Sequence, residues 1–105
     1  MSAMHVLDAL VRLEGMADAG LPPDDVAHEA ELIAAGWWWD GRGDLGPDRL
    51  VPLVQELRRW CVVASGRHAA RWGHLHRMGR PREAREAALW AGALDRAQRA
   101  LMVYA

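Results

Sequence analysis

The sequence predicts an all-α fold, a small antiparallel bundle of four to five helices. Three observations point to this class. Alanine and leucine are abundant, whereas Phe, Thr, Asn and Lys are absent and Ile33 is the single isoleucine, so strand-forming residues are scarce apart from Val and Trp. Apolar residues recur every three or four positions over most of the chain. Glycine and proline cluster at a few places that divide the chain into helix-sized segments.

The 105 residues fit a single helical domain, residues 1–105, with one modest core. We divide it into acidic helices (residues 1–36), a loop rich in Trp and Gly (residues 37–47) and Arg-rich helices (residues 48–105). Residues 1–45 carry a net charge of −7 and residues 46–105 a net charge of +6. This asymmetry is compatible with subunits that associate head to tail, or with a basic half that meets an acidic partner. We favour the interpretation that the two halves pack on each other.

Two helices are predicted in the acidic half. The first ends near Gly20, and the second begins at Pro22-Pro23, because proline suits a first helical turn that needs no amide donors. The second helix is expected to run to about Gly36. The apolar stripe of the first helix consists of Ala3, Val6, Leu7, Leu10, Leu13 and Ala17, and that of the second of Val26, Ala30 and Ile33.

Three consecutive tryptophans follow the second helix. Neighbouring residues of a helix are rotated by about 100°, so the three rings cannot all face the core. Trp37 continues the apolar stripe of the second helix, whereas Trp38 and Trp39 fall outside it. Residues 40–47 contain three glycines, two aspartates and a proline, which is typical of a loop.

In the Arg-rich half, the sequence predicts a long central helical segment and a last helix. Asp48 caps the segment, Pro52 is expected in its first turn, and residues 51–79 would be about 43 Å long as one helix. Either this helix is continuous, straight or bent, or it breaks at Ser65-Gly66. Its stripe is Leu50, Leu53, Val54, Leu57, Trp60, Cys61, Ala64, His68, Trp72, Leu75 and Met78, and that of the last helix is Ala84, Ala87, Trp90, Ala91, Leu94, Ala97 and Leu101.

The residues needed for catalysis or metal binding are sparse. Cys61 and His68 are about 10 Å apart along a helix, too far for the hydrogen bond that activates a thiol. Asp25, His28 and Glu31 share a helical face, but no second such motif accompanies them, as a di-metal bundle would require. We therefore predict no enzyme activity and no catalytic, cofactor-binding or metal-binding residues.

The sequence also indicates where the protein resides. No apolar run approaches the roughly 18 residues of a membrane span, and the first residues lack the pattern of a signal peptide. A lone cysteine fits a reducing compartment. We predict a cytoplasmic protein without membrane association, and the abundance of Arg, Ala and Gly is typical of a high-GC bacterium or its phage.

Tryptophan and arginine, the residue types enriched in interface hot spots, lie near each other in this chain. We therefore predict a small interaction module (an adaptor, an inhibitor or a subunit of an assembly) that binds another protein or a second copy of itself. The alternatives are a nucleic-acid-associated protein that uses the Arg-rich half, and a small helical enzyme. The predicted interaction residues are Trp38, Trp39, Arg42, Arg67, Arg71, Arg77 and Arg80.

Overall fold

The structure, a computed structural model, describes residues 5–40 and 47–104. They form four α-helices and a short 3₁₀ turn, and no strand occurs among them. The all-α class is confirmed, with four helices packed together. The bounds are α1, Val6–Asp18; α2, Pro23–Asp40; α3, Pro47–Arg77; α4, Pro81–Leu101; and the 3₁₀ turn, Met102–Tyr104.

The turns lie where the sequence predicts them. After α1, Gly20 adopts the left-handed conformation (φ 81°), and the Leu21 amide donates to the Met16 carbonyl at 3.2 Å. After α3, Gly79 does the same (φ 71°), and the Arg80 amide donates to the Leu75 carbonyl at 3.0 Å. Glycine adopts this backbone conformation without a steric penalty, which explains why both helices end there.

Helix α2 is longer than predicted. It continues past Gly36 to Asp40, so Trp37, Trp38 and Trp39 are helical and do not belong to a loop. Trp37 is only 1% exposed, in the same core as Ile33. Burying so large a ring stabilises the last turns by more than the roughly 1 kcal/mol that a helical glycine costs.

Helix α3 is continuous through Ser65-Gly66. The Ser65 hydroxyl donates to the Ala91 carbonyl of α4 at 2.8 Å, so it joins two helices. Pro52 lies in the second turn of α3 and not in the first, because the helix already begins at Pro47. The bend considered for this helix stays a prediction.

The α1–α2 pair packs on the α3–α4 pair around one main core. Arg58 bonds to Gln98 and Ser65 bonds to Ala91, so residues later in α3 contact residues earlier in α4. The predicted stripe of α1 is wrong at one position: Leu7 is 63% exposed and Ala9 is buried. The buried main-core residues are Ala9, Leu13, Val26, Ala27, Ala30, Ile33, Ala34, Trp37, Leu50, Val54, Leu57, Cys61, Ala64, Trp90, Ala93, Leu94, Ala97 and Leu101.

The α3–α4 pair extends beyond the rest of the bundle. The molecule measures 53 × 24 × 17 Å. Asp18, the last residue of α1, shares a cleft with His68 and Arg71, which marks how far α1 reaches along α3. We call residues 69–88, beyond this level, the arm. Its own small core consists of Leu75, Ala84 and Ala87.

Candidate functional site

Four large apolar side chains are exposed near the ends of α2 and α4. Trp38 is 37% exposed, Trp39 62%, Met102 54% and Val103 80%. The Trp38 and Trp39 rings meet edge to face, with centroids 5.7 Å apart and planes at 87°. We call these four residues the apolar end.

The packing of α2 against α4 brings the apolar end together. Pro23, the first residue of α2, lies in a cleft with Leu89 and Gly92 of α4, and Asp24 binds Arg96 at 2.7 Å. The two helices then run side by side in the same direction for about 20 Å. Both therefore finish at one end of the molecule, where Trp37 is buried in the main core.

The predicted interaction residues do not form one surface. Trp38 and Trp39 belong to the apolar end, while Arg67 and Arg71 lie at the base of the arm and Arg77 and Arg80 lie at its tip. Only six residues connect α2 to α3, so the tryptophans lie near the start of α3. The tip is therefore about 40 Å away along that helix. Arg42 falls outside the described residues.

Four of the predicted interaction arginines lie in the described part of the chain, and they differ in whether they have a carboxylate partner. Arg80 binds Glu83 at 2.8 Å, and Arg67 lies 3.9 Å from Glu14. Arg71 and Arg77 make no salt bridge within the described residues. The arm therefore displays positive charge that its own carboxylates do not neutralise.

A cleft of about 380 Å³ lies where the arm meets the bundle. Inside it, His68 stacks on Trp90 with ring centroids 5.3 Å apart and planes at 16°. Burial lowers the pKa of His68, and the charges of Arg71 and Arg67 lower it further, so the ring is neutral at pH 7. The lining residues are Glu14, Ala17, Asp18, Arg67, His68, Arg71, Glu86 and Trp90.

The cleft brings an imidazole and three carboxylates together. The His68 Nδ1 atom is buried and has no hydrogen-bond partner in the described structure. Glu14, Asp18 and Glu86 line the same cleft, and none of the lining residues carries a hydroxyl or a thiol.

Cys61 lies inside the main core. It is fully buried, and burial raises the pKa of its thiol to about 12, with a smaller contribution from the charge of Glu31. The thiolate, which is the reactive form, is therefore scarce at physiological pH. Cys61 acts as a small apolar core residue.

The described residues bring together no group of three His, Cys, Asp or Glu side chains that could hold a metal ion. His28, on the helical face that carries Asp25 and Glu31, is exposed to solvent. The lone motif in the sequence is thus joined by no further ligand from another described helix.

Sequence reasoning missed one feature of these surfaces. Met102 and Val103 lie at the same end of the molecule as the tryptophans because α2 and α4 run in the same direction, which no local pattern reveals. The Arg-rich half that the sequence does predict includes an acid-free run: between Glu56 and Glu83 the chain contains seven arginines, three histidines and no acidic residue. This acid-free run covers the second half of α3 and the turn into α4.

None of the helices in the described part of the chain has the length and apolar character needed to cross a membrane. Comparison with protein families, with curated proteins and with solved structures finds no match to this chain.

Proposed function

We propose that this protein is a small, non-enzymatic, cytoplasmic interaction module that binds another protein through its apolar end. One observation carries the proposal: Trp38, Trp39, Met102 and Val103 are all exposed near the same end of the molecule. Large apolar side chains grouped on the surface of a protein mark interaction sites, and tryptophan is the residue type most enriched in hot spots.

We propose a different protein as the partner of the apolar end. A second copy of the chain is the alternative occupant, and the experiment below distinguishes the two.

A photo-crosslinking residue tests the proposal when it replaces Trp39 or Val103 in separate variants. Leu89 provides a matched control, since it is 60% exposed on α4 but lies near the start of α2, away from the apolar end. In an extract of the source organism, we expect positions 39 and 103 to crosslink to the same protein and position 89 to give no such product. Crosslinks from all three positions alike, or only between copies of the chain, would contradict the proposal.

The purified partner then permits a quantitative test. Trp39→Ala with Val103→Ala should raise the dissociation constant at least about 30-fold, which corresponds to about 2 kcal/mol. Leu89→Ala should leave it unchanged. Thermal unfolding of both variants shows whether the fold survives. A loss of folding in the double variant would mean that the two side chains stabilise the bundle and that the loss of binding follows from unfolding.

A further inference from the structure

The arm carries a net positive charge, whereas the protein as a whole is slightly negative. Residues 69–88 contain five arginines and two glutamates, a net charge of +3, although the whole protein has a net charge of −1. Two further histidines, His74 and His76, lie on the same stretch of α3. The remainder of the chain is accordingly negative.

Carboxylate partners are more frequent among the described arginines of the bundle than among those of the arm. Four of the seven described bundle arginines have such a partner, and three do not. The paired ones are Arg12, Arg67, Arg96 and Arg99, and the others are Arg49, Arg58 and Arg59. In the arm, only Arg80 has a carboxylate partner among the described residues. The arginines that make no salt bridge there are Arg71, Arg77, Arg82 and Arg85, all of them exposed.

The two glutamates of the arm occupy one face. Glu83 and Glu86 line a groove of about 180 Å³ together with Arg71 and Leu75. Arg85 follows Glu83 by two residues, so on a helix it points about 160° away from it. The arm therefore has a mixed-charge groove, and Arg85 lies on the side of α4 away from Glu83.

The arm also carries an exposed aromatic pair. The Trp72 and His76 rings stack with centroids 5.3 Å apart and planes at 15°, and Trp72 remains 44% exposed. Exposed aromatic rings that stack on bases and positive charges that contact the backbone are the two features by which proteins bind a single strand.

We propose that the arm binds single-stranded nucleic acid. Arg77, Arg82 and Arg85 contact the phosphodiester backbone, and Trp72 stacks on a base. The arm is about 15 Å long, enough for about three nucleotides. An acidic polypeptide would satisfy the arginines equally well, but it would leave the exposed part of the Trp72 ring without a base to cover it.

The test measures how a fluorescein-labelled single strand of about 12 nucleotides binds to the protein, by fluorescence anisotropy. The salt concentration is varied from about 50 to about 200 mM, because the effect of counterion release on affinity is large over this range. Three phosphate contacts predict that the logarithm of the binding constant falls with the logarithm of salt concentration with a slope of about −2. Arg77→Ala with Arg85→Ala should reduce the slope by about 1.4 and weaken binding about 25-fold at 0.1 M salt. Trp72→Ala should also weaken binding, and Trp72→Phe should restore most of it.

Arg49→Ala with Arg59→Ala is the matched control. It removes two exposed positive charges that, like Arg77 and Arg85, make no salt bridge among the described residues but lie outside the arm, so binding should hardly change. Equal losses in both double variants would overturn the proposal. It would likewise be overturned if no binding occurred at 50 mM salt with about 100 μM protein, a limit set by typical non-specific affinities. Polyglutamate that binds as tightly as the oligonucleotide would identify an acidic protein as the occupant instead.

Discussion

The imidazole of His68 lies against the ring of Trp90, with Arg67 and Arg71 on its own helix, Glu14 on α1 and Glu86 on α4. Its burial, more than any single charge, lowers its pKa below the ordinary value of 6.5. The unfolded chain therefore takes up this proton at a higher pH than the folded protein does. The stability that the neutral ring contributes is complete above pH 6.5 and is lost as the pH falls through that value toward the folded pKa.

This linkage predicts the effect of a single substitution. Between pH 7.5 and 5.5, about one unit on either side of the reference pKa, the melting temperature should fall less in His68→Gln than in the wild-type protein. His74→Gln provides the control, because His74 is exposed on the same helix. Calorimetry at both pH values gives the comparison. An identical fall in His68→Gln and wild type would show that protonation of this ring is not coupled to folding.

At the scale of the element, α3 shows why residue preferences alone do not locate helix breaks. Ser65-Gly66 is a pair that favours interruption, yet the helix continues because Cys61 and Ala64 are buried and Ser65 bonds to α4. The same reasoning applies to α2, where the burial of Trp37 extends the helix past Gly36. Burial on one face decides the length of both helices.

Two glycines should respond in opposite ways to replacement by alanine. Gly66 is helical and exposed, and a Cβ atom there meets nothing within 4 Å, so Gly66→Ala should stabilise the protein by about 0.5–1 kcal/mol. Gly79 has a φ of 71°, so Gly79→Ala should destabilise it by about 1 kcal/mol or more. Urea unfolding measures both. A destabilised Gly66→Ala variant would mean that the helix is not regular at this position.

At the scale of the whole molecule, opposite surface properties lie at opposite ends. The apolar end is one end of the helical bundle, and residues 1–68, which form most of that bundle, contain most of the acidic residues of the chain. The basic arm extends from the bundle in the opposite direction. Ion pairs between the acidic and basic halves, such as Asp24 with Arg96, confirm that the halves pack on each other. A partner at one end therefore leaves the other free, and the two proposed activities can be tested separately.

The projecting arm should be visible in solution. A compact domain of 105 residues has an expected radius of gyration of about 13 Å, whereas the Cα atoms here give 14.9 Å with a longest dimension of 53 Å. Small-angle scattering of the monomer should therefore give a radius of gyration near 15 Å and an elongated distance distribution. A nearly spherical particle with a radius close to 13 Å would show that the arm does not project.

The sequence by itself determined the helical class, the turns at Gly20 and Gly79, and the burial of Trp37, because these depend on local backbone preference and on the 3.6-residue period. The same period misplaced Leu7 on α1, Trp72 on α3 and Met78 just after α3, which are all exposed, since an apolar stripe does not reveal which neighbour will cover it. Only the tertiary structure decided that Met102 and Val103 lie at the same end of the molecule as Trp38 and Trp39, that His68 meets Trp90, and that the predicted arginines lie apart from the tryptophans. These placements depend on how far each helix extends beside the next, and that length is set by contacts between residues distant in the chain.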